Sequence, residues 1–197
     1  MVFNEKYLKS IITALVVGTS GFLTIPHLCL LPGSGLDSSW LLALNIAAAN
    51  KLQFGKDIVF TFGPFGFFWL PVFYDVKLWV LSLTVNLFVH LLFFYSVVIM
   101  MMKSRTTIGH YLFMGVVLLI AIPIALIDYK LFVAIIILLY LTIIGRFGNK
   151  SIPFILTFAS LLMAMGSLIK FTALLISLSI LFFLFFFFKF KKCNFIN

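Results

Sequence analysis

Apolar positions run through this chain in long, nearly unbroken stretches, with polar positions confined to short clusters between them. Six stretches read as helices, at about 10–31, 78–102, 106–127, 130–145, 152–169 and 171–188. About 20 apolar residues in a helix cover the ~30 Å hydrocarbon layer of a bilayer, so these runs have the pattern of membrane spans. The first follows Lys6 and Lys9, as in a signal sequence. Its apolar run is longer than a signal core and no small-x-small cleavage site follows, so it is read as a retained helix. The last two stretches are separated only by Lys170, which leaves a tight hairpin and one long kinked helix both open.

One connection breaks the rule of short links. Between the first two spans lie about residues 32–77, and long ordered loops in compact proteins usually carry function. The first half, "LDSSWLLALNIAAANKLQFG", reads as a helix that Asp37 or Ser38 can cap and Gly55 can end. Ser38, Asn45 and Gln53 fall on one narrow stripe of it, and Trp40 is an interface-seeking residue, so it is expected to lie on the outer membrane surface. The second half, "GKDIVFTFGPFGFFWLP", starts with a segment, "DIVFTF", suited to extended backbone. Gly63, Pro64 and Gly66 then favour turns, and Phe65, Phe67, Phe68 and Trp69 are expected at the interface or against the helices. A structural role for these aromatics and a wall for a sugar or isoprenoid both stay open.

Composition narrows the class. At 64% hydrophobic and 10% charged residues, 197 residues cannot furnish the polar surface of a soluble domain. The expected fold is all-α, a polytopic transmembrane helical bundle forming one domain over 1–197, with the bilayer as its partner. The net charge of +9 is scattered between apolar runs, a distribution that fits topology and not nucleic-acid binding. With the N-terminus inside, nine basic residues (Lys6, Lys9, Lys103, Arg105, Arg146, Lys150, Lys189, Lys191, Lys192) fall on the cytoplasmic side. Five (Lys51, Lys56, Lys77, Lys130, Lys170) fall outside, which favours both termini in the cytoplasm. Four of the five acids (Asp37, Asp57, Asp75, Asp128) are then external. Cys29 and Cys193 are expected on opposite sides, with no metal-ligand spacing.

A first membrane helix, an acid opening the outer loop, a surface helix, and "FGKDIVFTFGPFGF" leading into the second span together resemble the N-terminal part of GT-C membrane glycosyltransferases. The phrase is also similar to stretches of bacterial multispanning proteins of uncharacterised function. The resemblance covers roughly the first half of the chain. It implies a polyprenyl-phosphate-sugar donor, no cofactor, and a place in a bacterial plasma membrane. Asp37 matches the first-loop acid, whose role would be to take or orient the proton of an acceptor hydroxyl. Lys170 would bind the lipid phosphate, with Lys130 also available on the outer side and Lys56 in the loop, and Asp57 would be a second carboxylate facing Asp37 across a substrate cleft. Where family members carry paired acids, Asp37 is followed by Ser38 and Ser39, and members have more spans, so a chain carrying part of a longer enzyme is the expectation.

Each of these residues also has a plain reading. Asp37 serves equally as a helix cap, Asp57 and Lys56 as a solvated turn, and Lys170 as a lysine reaching headgroups. Ser82, Asn86 and His90 share one face of the second span, where interhelical hydrogen bonding is the simpler role and a proton relay or pocket the sharper one. Ser160, Ala164 and Ser167 form a small-residue face suited to close packing. The alternative to an enzyme is therefore a non-catalytic membrane protein or assembly subunit. A transporter would call for midplane acids, paired broken helices and repeated halves, none of which the sequence has.

Overall fold

The computed structural model describes residues 5–26, 31, 36–58, 60–103, 127–143 and 151–193. Among them are six α-helices and no strand. The helix expected over 106–127 lies outside the described residues except for Ile127, as do Cys29, Arg105, Arg146 and Lys150.

Helix α1 spans Glu5–Leu23 and stops well short of residue 31. The apolar run continues, but Pro26 disfavours helical backbone at Ile25. Thr24 closes the last turn, its N–H and Oγ1 both donating to Ser20 O at 3.1 and 2.8 Å.

Helix α2 spans Leu36–Ala49, which puts Asp37 inside the first turn and not at the cap. A terminus there still favours negative charge. The helix ends earlier than Gly55. Leu52 N–H donates to Ala47 O at 3.0 Å and Lys51 N–H to Ala48 O at 3.2 Å, a Schellman motif. Lys51, at φ 54°, holds the left-handed position that glycine usually fills. Gly55, at φ 87°, instead shapes the next turn, where its N–H donates to Ile58 O at 2.7 Å. Leu44, Asn45 and Ala47 are buried, so Asn45 departs from the expected polar stripe and faces the protein.

Past that turn the chain is pinned at single bridges, Phe54 with Ile58 and Phe62 with Lys170, so "DIVFTF" is extended only in part. A 3-10 turn, Gly66–Phe68, then carries Phe67 and Phe68 into the central core. There they meet Val89 of α3 (Val76–Lys103), Leu131 and Ile135 of α4 (Ile127–Ile143), Leu162 and Met163 of α5 (Ile152–Ile169), and Ala173 of α6 (Phe171–Cys193). The loop is thus a plug in one end of the bundle.

Asp75 caps α3, its Oδ1 accepting the Leu78 N–H at 3.0 Å. α3 packs on α1 and α4, α4 on α5, and α5 on α6. Pro153 sits in the first turn of α5, where its missing N–H removes no intrahelical bond. Lys170 is a single extended residue (φ −146°, ψ 133°) between α5 and α6. The Cβ direction of Gly166 comes to 3.9 Å from Ala173 Cβ. Residues seven apart on one continuous helix are about 10 Å apart, so the chain folds back here as a hairpin.

Two helices, α3 over Val76–Met102 and α5 over Ile152–Ile169, are long and apolar enough to cross a membrane. The apolar stretches Ser10–Leu23, Lys130–Thr142 and Phe171–Phe183 are shorter.

Candidate functional site

The loop and the α5–α6 hairpin meet in backbone hydrogen bonds that answer an elementary need. The last carbonyls and first N–H groups of helices lack intrahelical partners. Gly63 N–H donates to Ile169 O and Phe65 N–H to Leu168 O, both at 3.1 Å, while Phe171 N–H donates to Thr61 O at 2.9 Å. A Cβ on Gly63 would collide with the carbonyl oxygen of Leu168, so only glycine permits this approach. The loop is capped onto both helix ends at once.

That contact sets Lys170 among aromatic rings. Its Nζ lies 5.2 Å from the Phe62 centroid and 5.3 Å from that of Trp69, inside the ~6 Å range of cation–π attraction. Phe62 in turn stacks on Trp40 of α2 (4.9 Å, 29°) and Phe60 (5.7 Å, 19°), and meets Trp69 edge-on (5.4 Å, 74°). Trp69 Nε1–H is buried and has no acceptor among the described residues. Two clefts flank Phe60. One, of about 220 Å³, lies between the Phe54–Ile58 turn and the hairpin, with Phe62, Gly63, Ser167 and Phe171 in its wall. The other, of about 120 Å³, lies between Ile58 and the Trp40–Leu44 face of α2.

Against this geometry the residues singled out by the sequence divide. Lys170 is at the aromatic cluster. Asp37 lies in the first turn of α2, three positions before Trp40 in the chain. Asp57 is engaged locally, its Oδ2 accepting Gln53 N–H at 2.9 Å while its own N–H returns to Gln53 O at 2.8 Å. Lys56, beside it, is exposed. Both belong to the turn that walls the larger cleft. Among the described residues no group of three His, Cys, Asp or Glu could hold a metal ion.

The polar stripe on α3 works between elements. Ser82 Oγ donates to Phe67 O at 3.1 Å and Asn86 Nδ2 to Phe68 O at 2.7 Å, so both grip the buried 3-10 turn. His90 Nε2 lies 3.1 Å from Gly21 O, and His90 Nδ1 lies 3.0 Å from Lys130 Nζ. A carbonyl only accepts and an ammonium only donates, so these partners assign Nε2 as the protonated nitrogen. Lys130 also donates to Thr24 O at 3.0 Å.

Lys130 was expected on the outer side within reach of a phosphate, but it is 5% exposed and fastens α4 to the end of α1. No local spacing joins His90 to Lys130, and only the packing of three helices brings them together.

No protein family, curated protein or solved structure gives a significant match to this chain.

Proposed function

We propose that this chain is an integral membrane protein with the six spans read from its sequence and both termini cytoplasmic, and that its first outer loop handles a polyprenyl-phosphate sugar. One observation carries the reading: the Lys170 ammonium, held against Phe62 and Trp69, sits at the end of the bundle beside a cleft of about 220 Å³ with aromatic walls. Aromatic faces suit sugar rings and isoprenoid chains, and a fixed cation suits a leaving phosphate. In the reaction the bond from sugar C1 to the lipid phosphate oxygen breaks and a bond from C1 to the acceptor oxygen forms. The acceptor proton passes to the Asp37 carboxylate, and the polyprenyl phosphate leaves with the electron pair, its charge met by Lys170. Lys56 and Asp57 would bind the donor from the turn between Gly55 and Ile58, two residues that line that cleft.

The test uses membranes bearing the chain and labelled polyprenyl-phosphate sugars. Transfer should fall steeply in Asp37→Asn and in Lys170→Met, with protein abundance maintained for Asp37→Asn. Transfer unchanged by Asp37→Asn removes the assigned role.

A second reading, a non-catalytic membrane module, is favoured by a specific observation. The loop's backbone caps α5 and α6, and its 3-10 turn is held by Ser82 and Asn86, all structural tasks. On that reading no labelled sugar is transferred, and loop substitutions change only abundance or association.

A further inference from the structure

Hydroxyls on helices commonly bond back to a carbonyl one turn earlier. Thr24, Thr84, Thr142, Ser177 and Ser179 all do so at 2.7–2.9 Å. Thr13 and Ser20 on α1 do not. They are 4% and 1% exposed, yet neither hydroxyl has a partner among the described residues. Seven residues make nearly two helical turns, so the two share one face of α1, roughly 10 Å apart along the axis. One turn beyond Ser20 on that face is Thr24, whose carbonyl accepts from Lys130. The Lys130 ammonium has three donors, and Thr24 O and His90 Nδ1 take two of them.

Two buried hydroxyls without partners among the described residues thus lie on the face of α1 that leads to Thr24, whose carbonyl accepts from the buried Lys130 ammonium. The packing around them is apolar. Ile12, Val16 and Val17 of α1 meet Phe93, Phe94 and Val97 of α3 and Ile137 and Leu141 of α4. An apolar residue at position 13 or 20 would fit that packing, and an unpaired buried hydroxyl is destabilising. Buried polar groups of this kind are ordinarily bridged by internal water, and ionisable residues inside helical bundles face the bundle interior or a water-filled cavity.

We propose that the α1–α3–α4 seam is a water-binding site, a file of internal waters running from Thr13 past Ser20 to the Lys130 ammonium. The hydroxyls both donate and accept, as bridging waters require, and the last water accepts the third Lys130 proton. The Lys130–His90 pair is then in contact with water from the α1 side although neither residue reaches the surface. The site is separate from the aromatic cluster and stands whether or not the chain transfers sugar.

The experiment is carried out on the purified full chain. Thr13→Val keeps the shape of the side chain and removes its hydroxyl. With water bonded there, the thermal midpoint falls by about 3 °C or more, whereas in a dry seam the loss of an unpaired polar atom raises it. A second measurement replaces Cys29 and Cys193 by Ser and compares Ser20→Cys with Val89→Cys, whose position is 0% exposed in the separate central core. A small water-borne thiol reagent should modify the Ser20→Cys thiol about tenfold faster than the Val89→Cys thiol. A raised midpoint for Thr13→Val, or equal modification of the two thiols, overturns the proposal. If Ser20→Cys fails to fold, the Thr13→Val midpoint decides alone.

Discussion

Gly63→Ala is the sharpest perturbation of the loop. The added methyl would overlap the Leu168 carbonyl oxygen and stand 3.0 Å from its carbon, both backbone atoms of a packed helix end that cannot rotate aside. Relief requires the loop to lift from the hairpin. That breaks the bonds from Gly63 N–H to Ile169 O and from Phe65 N–H to Leu168 O. At about 1 kcal/mol net for each bond, and about 1–3 kcal/mol for a buried carbonyl left without a donor, the cost is about 3–5 kcal/mol. For a chain of this size that corresponds to a drop of about 6–20 °C in the unfolding midpoint. Thermal unfolding of the purified chain, followed by circular dichroism, measures it. Two other glycines calibrate the result. Gly18→Ala meets nothing within 4 Å on α1 and should be neutral or gain up to ~1 kcal/mol from helix propensity. Gly55→Ala, in open space at φ 87°, should lose about 1 kcal/mol to backbone strain alone. A midpoint for Gly63→Ala within about 1 °C of the parent would refute the capping argument.

Other perturbations bear on separate contacts. Asn86→Leu leaves Phe68 O without its donor and should cost about 1–3 kcal/mol; combined with Ser82→Ala its effect should be non-additive, because both side chains hold one turn, as a double-mutant cycle in urea would read. Lys130→Met frees Thr24 O and His90 Nδ1, and limited proteolysis should then cut faster after α1, with a coupling of about 1–3 kcal/mol to His90→Leu. Lys170→Met removes the cation from Phe62 and Trp69 and should weaken loop docking by about 0.5–2 kcal/mol, seen as a shift in tryptophan emission. Lys51→Gly relieves the left-handed position ending α2 and should stabilise by about 0.5–1 kcal/mol on the same thermal assay.

The long apolar runs made the helices legible, and Pro26 and Lys170 each mark a helix end in the structure. Because uniform apolarity has no phase, it says little about which face of a helix packs inward. The spacing of Ser38, Asn45 and Gln53 marks one stripe of α2 without saying that Asn45 on it is buried. The end of α2 differs from the Gly55 expectation for another reason: a lysine, Lys51, fills the left-handed position that glycine usually takes. At the candidate site, Gly63 and Gly66 were readable as turn residues. That Gly63 is required by the approach of Leu168 was not, since the two segments are remote in sequence. Ser82, Asn86 and His90 were legible as one face, and their hydrogen-bonding role agrees with the simpler of the two readings. Lys130 was placed by its position at a span end, a rule that counts charges and is blind to the hydrogen bonds that draw one inward.

The bridge between Phe62 and Lys170 joins segments about a hundred residues apart. During synthesis the loop leaves the ribosome long before its partners do, and contacts of such separation close late. For that interval Phe67 and Phe68, core residues in the finished fold, have no α5 or α6 to cover them. The same bond pattern that seals the bundle therefore sets an order of assembly, with α5 and α6 made and folded back before the loop can lock. The vulnerable moment in the life of this protein is that wait, when a chaperone or a protease would find the loop.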